Sequence, residues 1–263
     1  MRTFLRGFGL GCCASLTALM AATPALADDA APPPAITISG SATVVSDYRF
    51  RGVSQTDKNA AIQGSITVSH SSGFYASVWG SSVSGYVVAT ANTSQEIDLI
   101  LGWKKTFGGT TIDGGLLYYY YPKTTGGYTN FAEPYVSVAH TFGPVTAKAT
   151  AAYAPKQKAL GLAQNIVPEP SRENLYLAGD LSASIPNTPL GLSAHLGHSY
   201  GPSWLASDFN GKKGYTDWGL GATLTYKAIT LGVQYVDTDA VFITPSGKNA
   251  AKGGVVATLG VSF

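Results

Sequence analysis

From residue 40 to the terminal Phe263 the chain divides into about twelve segments in which apolar and polar residues alternate, and the connectors between them alternate between short and long. That pattern constrains the fold more than any other feature. A transmembrane strand needs only about 9 to 11 residues and shows apolar side chains to lipid at every second position, whereas a membrane helix needs about 20 consecutive apolar residues. No such helical run follows the N-terminal leader. The reading is an all-β protein: an up-and-down antiparallel transmembrane β-barrel of about twelve strands.

The expected strands are 40–50, 60–69, 74–84, 95–107, 111–121, 131–142, 145–153, 173–185, 190–200, 215–226, 229–237 and 254–263. Connectors after even-numbered strands are tight, such as Gly108-Gly109, Gly143-Pro144 and Lys227-Ala228, and are built of turn residues that fix hairpin register. Those after odd-numbered strands, such as 52–59, 155–172, 201–214 and 238–253, are longer and polar. The split predicts short periplasmic turns, longer extracellular loops and both chain ends on the periplasmic side. Pro134 cannot donate a ladder hydrogen bond, so a strand end or bulge is expected there.

Residues 1–27 read as a cleaved secretory signal peptide: Arg2 and Arg6 lead, an apolar stretch follows, and Ala25-Leu26-Ala27 forms a small-residue cleavage site. Residues 28–39, with their proline run, read as a short tether, and 40–263 as the barrel. Both cysteines, Cys12 and Cys13, fall in the leader, so the exported chain carries no thiol. A lipid-anchored cysteine is disfavoured, because cleavage there leaves too short an apolar stretch before it. Seventeen basic and fifteen acidic residues balance once Arg2 and Arg6 are removed, which argues against a nucleic-acid partner. Only 12% of residues are charged, as suits a protein with much surface against lipid. The expected location is the bacterial outer membrane, reached through the periplasm.

Aromatic residues assigned outward fall into two belts. Tyr48, Phe50, Tyr118, Tyr120, Tyr153, Trp218 and Tyr235 sit near the loop-side strand ends, and Phe74, Trp103, Phe107, Phe142, Tyr226 and Phe263 near the turn side. Membrane interfaces select such belts, because an amphipathic ring is most stable at headgroup depth.

The same parity turns Asp47, Arg49, Arg51, Glu96, Asp98, Lys104, Asp113, Glu133, Lys148, Asp180 and Asp217 into the lumen, with acids in excess. Two readings stand side by side: cross-lumen pairs that hold the interior together, and a narrow polar pore with a slight cation preference for small solutes or ions. The candidate constriction sets Arg49 and Arg51 against Glu96, Asp98 and Asp113. The cluster Asp47, Arg49 and Arg51 reads equally as a charged pore mouth or as a device closing the first strand against the last.

Residues 46–55 read S-D-Y-R-F-R-G-V-S-Q, followed by A-I-Q-G at 61–64, H-S-S-G-F-Y-A-S-V-W-G-S-S-V at 70–83, E-I-D-L at 96–99, Y-Y-Y-Y-P at 118–122, E-P-Y-V-S at 133–137 and G-P-V at 143–145. In these motifs the chain resembles the TorF-type family of proteobacterial outer-membrane porins. The resemblance is dense over the first half and rests on strand spacing in the second. It implies an outer-membrane barrel acting as a porin. The loop 155–172, with Lys156, Lys158 and three prolines, departs from it. Terminal Phe263, after alternating apolar residues, also resembles the signal by which the outer-membrane assembly machinery recognises barrels.

An enzyme is not expected. His195 has Ser193 on its strand face, but neighbours two apart on one strand make a poor nucleophile and base pair. His195 and His198 point to opposite faces and cannot share a metal, and the glycine pairs lack the helix and lysine of a phosphate loop, so no metal or other cofactor is expected. The rival class is a structural or adhesive barrel whose extracellular loops bind a partner.

Overall fold

A computed structural model describes residues 34–87, 93–124, 128–162, 170–208 and 210–263. The expected leader and the start of the expected tether lie outside the described residues. The strands are β1 (Ile36–Val45), β2 (Arg49–Phe50), β3 (Val53–Ser54), β4 (Ala61–His70), β5 (Phe74–Ser82), β6 (Gln95–Phe107), β7 (Thr110–Tyr120), β8 (Phe131–Phe142), β9 (Val145–Gln157), β10 (Arg172–Ser184), β11 (Leu190–Tyr200), β12 (Gly214–Tyr226), β13 (Ile229–Thr238) and β14 (Gly254–Ser262). All but β2 and β3 form one closed antiparallel barrel of twelve strands, β1 pairing with both β4 and β14. Closure leaves no unpaired edge, which a sheet surrounded by lipid requires.

Alternation is kept around the wall. Leu101 and Leu220, at 65% and 66% exposure, stand outside, while Ser41, Ser65, Ser137, Thr223 and Thr258 point inward. Five tight turns, the start of β1 and the end of β14 share one rim, and the long connections share the other. At the β6–β7 turn Gly108 and Gly109 both take positive φ, 52° and 88°, the primed geometry whose twist matches a hairpin.

The strands depart from the alternation pattern in several places. β1 starts at Ile36, inside the expected tether, because Ile36 to Gly40 pair with His70 to Ile66. β9 runs on to Gln157 and is followed by a single 3-10 turn, Lys158–Leu160. Pro134 lies within β8 without a bulge; the β8–β9 ladder simply stops at Tyr135 and Ala152. Beyond it the Gln157 side chain takes over, accepting from the Ala132 N–H and donating to the Ala132 carbonyl, both at 2.8 Å.

The largest departure concerns 46–54. The wall leaves β1 at Val45 and resumes at its pairing partner, Ala61. Between them the chain folds into the lumen as the small hairpin β2–β3, with Arg51 and Gly52 at its turn in positive φ. Tyr48 and Phe50 therefore do not belong to the loop-side aromatic belt: they are 0% and 7% exposed and face other protein groups. Lipid would accept these rings at headgroup depth, but the lumen offers ring burial and also a carboxylate, Glu96, for the Tyr48 hydroxyl at 2.9 Å.

Candidate functional site

The hairpin divides the lumen in two. Toward the loop rim each of the twelve wall strands contributes at least one inward residue that is buried, among them Val45, Gln63, Leu117, Phe131, Asn174 and Val256. Side chains that face a lumen yet touch no solvent are covered by what fills it. Toward the turn rim many inward positions are small, polar and partly accessible, among them Ser39, Ser69, Thr146, Ser182, Thr225 and Ser262, while Thr67, Tyr75, Ser77 and Asp113 are buried on one side of the wall. The result is a hydroxyl-lined vestibule, closed above by a plug.

The plug is held by buried ion pairs. Asp47 accepts from the Arg49 Nε at 2.6 Å, from the Ser54 hydroxyl at 2.6 Å and from Thr56 at 3.2 Å. Arg49 spends its Nη1 on the carbonyls of Gly52, Ala250 and Lys252, which ties the hairpin to the segment before β14. Arg51, fully buried, donates through Nη2 to both oxygens of Glu133 on β8 at 2.7 Å, and the Tyr119 hydroxyl donates to the same carboxylate at 3.1 Å. The Arg51 guanidinium also lies 4.1 Å above the Tyr176 ring and 4.9 Å from that of Phe50. A desolvated cation needs such company, since an unpaired buried charge is prohibitive.

The expected constriction is therefore replaced. Arg49 and Arg51 do not oppose Glu96, Asp98 and Asp113; their partners are Asp47 and Glu133. Glu96 accepts from the hydroxyls of Tyr48 and Tyr121 at 2.9 and 3.1 Å, while Asp98, nearly as buried, has an Oδ1 without a hydrogen bond. Asp113 accepts from Tyr75 at 2.8 Å, Tyr75 is hydrogen-bonded to Tyr135, and Lys104 stands across the strand pair from Asp113.

Below the plug a second group lines the opposite wall. Lys148 Nζ is 3.5 Å from Asp180, Asp180 meets His195 Nδ1 at 2.7 Å, and His195 Nε2 meets Asp217 at 2.9 Å. Tyr176 donates to Asp217 at 3.1 Å, and its ring carries Arg51, so the group reaches the plug. Glycine makes room for it: a Cβ at Gly197 would stand 2.1 Å from the Tyr176 hydroxyl. The inward set expected from the sequence does not contain His195 or Tyr176. Parity turns both inward, but only register shows that His195 sits opposite Asp180 and two positions from the residue paired with Asp217.

A family model for bacterial proteins of unknown function, Gcw_chp, matches residues 29–263. The chain belongs to the Gcw_chp family. Comparison with curated proteins gives no sequence match to this Gcw_chp protein. Among solved structures its barrel is similar to the NanC porin, with TM-score 0.56 and 14% identity over 86% of this chain and 99% of that one. It is also similar to the KdgM porin, with TM-score 0.52 and 9% identity over 86% and 98%. At such identities the likeness is one of fold, and it gives the Gcw_chp chain a porin-type twelve-stranded barrel.

Proposed function

We propose that this protein is a porin-like channel of the outer membrane, passing small polar solutes or ions, with the β2–β3 hairpin as its gate. The observation that carries the reading is the vestibule: inward hydroxyl side chains that stay partly accessible between the turn rim and the plug. A purely structural barrel of this width has no need of a polar, uncollapsed interior, because inward positions can be filled by side chains, as they are in barrels of about eight strands. The fold shared with two proteins called porins and the TorF-type motifs at 46–55 and 70–83 point the same way. Inward acids outnumber inward bases, which favours cations. Export by the leader and insertion through the C-terminal Phe263 complete the reading; no catalytic chemistry is assigned.

The plug itself favours a second reading, a barrel that stays shut and works through its loops. Planar-bilayer recordings under a KCl gradient separate the two. The channel reading expects rare openings in the natural chain and steady, cation-preferring conductance once 47–59 is replaced by a short glycine-serine linker. Silence in both proteins, with the barrel folded, refutes it.

A further inference from the structure

On the loop side of the hairpin lies a cavity of about 900 Å³. Its floor is the plug, through Phe50, Val53 and Gln55. Its walls come from the connections after β5, β11 and β13, which bring Tyr86, Trp204 and Phe242, and from Tyr215 at the start of β12. Pockets for single small molecules span about 300 to 1,000 Å³, so the space suits one such molecule.

The lining decides what kind. Rings and aliphatic groups predominate, with Tyr215 meeting Phe242 edge-on at 5.9 Å between centroids. Asp208, the carboxylate in the wall, already accepts from the backbone N–H groups of Asn210, Lys212 and Val241 at 2.9, 3.0 and 3.3 Å. No unsatisfied charge in the wall calls for an ion. Two neutral polar groups do remain. Tyr215 is only 2% exposed, yet its hydroxyl makes no hydrogen bond among the described residues. Gln55 donates its amide to the Val53 carbonyl at 2.9 Å, while its side-chain oxygen accepts from none of the described residues. Neither oxygen is among the fully enclosed unpartnered atoms of the described residues, so each remains open to a partner that enters from the cavity.

We propose that this cavity binds a neutral aromatic molecule bearing a hydroxyl group, with the ring between the aromatic walls and the hydroxyl bonded to Tyr215 and Gln55. The proposal does not rest on conduction, since a barrel that never opens presents the same cavity.

The probe is 2-naphthol, measured by equilibrium dialysis against the full barrel in lipid nanodiscs, with empty nanodiscs as the partition blank. The expected result is a saturable component of one site per barrel above the linear partition. Tyr215→Phe, which removes one oxygen atom and keeps the ring, weakens it by about 3- to 10-fold, the usual worth of one hydrogen bond. Naphthalene, without the hydroxyl, binds more weakly than 2-naphthol by a similar factor, and Val53→Phe, which fills the floor, abolishes the component. Purely linear partition overturns the proposal. So does saturable binding that Tyr215→Phe leaves unchanged, or naphthalene bound as tightly as 2-naphthol.

Discussion

Neutralising Glu133 tests the gate most directly. Glu133→Gln keeps the size of the side chain and an oxygen for the Tyr119 hydroxyl, but it removes the carboxylate charge that grips the Arg51 guanidinium, 0% exposed, at 2.7 Å. Removing one partner of a buried ion pair costs about 3 to 5 kcal/mol. The wall cannot relieve that cost, because each barrel strand is fixed by ladders on both sides. The hairpin can relieve it by lifting Arg51 into water. At about 1.4 kcal/mol per factor of ten, the lifted fraction rises by about two to three and a half orders of magnitude. Single-channel recording reads this as a rise in open probability, with unitary conductance unaltered because the wall still sets the bore. Removing both charges, in Arg51→Gln with Glu133→Gln, restores much of the closed time, since the hairpin then buries no guanidinium that has lost this carboxylate. An open probability equal to that of the natural chain in a folded Glu133→Gln barrel refutes the reasoning, as does a double variant as open as the single one.

Four further outcomes follow from the same geometry. Gly197→Ala drives a methyl group into the Tyr176 hydroxyl under Arg51 and is expected to cost about 1 to 3 kcal/mol of stability in urea unfolding, as overpacking does. Asp180→Asn removes an accessible acid from the vestibule beside Lys148 and His195, and the reversal potential under a KCl gradient should move toward anions. Leu220→Arg places a cation on the lipid face and should cost about 2 to 4 kcal/mol, read as a loss of folded, heat-modifiable protein on gels. In the loop after β3, burial tends to raise the Asp57 pKa, but hydrogen bonds from Ser246 and Thr244 and the charge of Lys248 outweigh it and hold the carboxyl below its ordinary value. The loop contact it stabilises is thus complete above the ordinary carboxylate pKa and lost as pH falls through the lowered one; Asp57→Asn should abolish that acid-side change in loop proteolysis.

The barrel was legible because lipid imposes a period of two on every strand, and the turn residues gave its direction: 108–109 and 227–228 each read as a tight turn and are one. The plug was not legible, for a physical reason. Residues 46–51 continue the alternation of β1, and a segment packed inside a lumen is covered on both faces, so alternation no longer says which side is lipid. Arg51-Gly52 is a two-residue primed turn without the usual asparagine or aspartate at its first position, which hid the hairpin. Charged residues were sorted to the lumen by parity, but their partners depend on height along the barrel, and Arg51 and Glu133, 82 residues apart, meet only once the register is known.

The plug also carries a record of when the barrel is finished. Its hydrogen bonds run to the far end of the chain: Ser46 exchanges two with Ala257, Ser54 binds the Ala250 carbonyl, and Arg49 reaches Ala250 and Lys252. A segment whose Ser46 and Arg49 partners lie 201 to 211 residues further along the chain cannot seat until β14 has joined β1. Contacts of such sequence separation form late, because the loop-closure entropy of nearly the whole chain is paid first. A half-assembled barrel is therefore an unsealed one, and the closing of its mouth is the last step of folding.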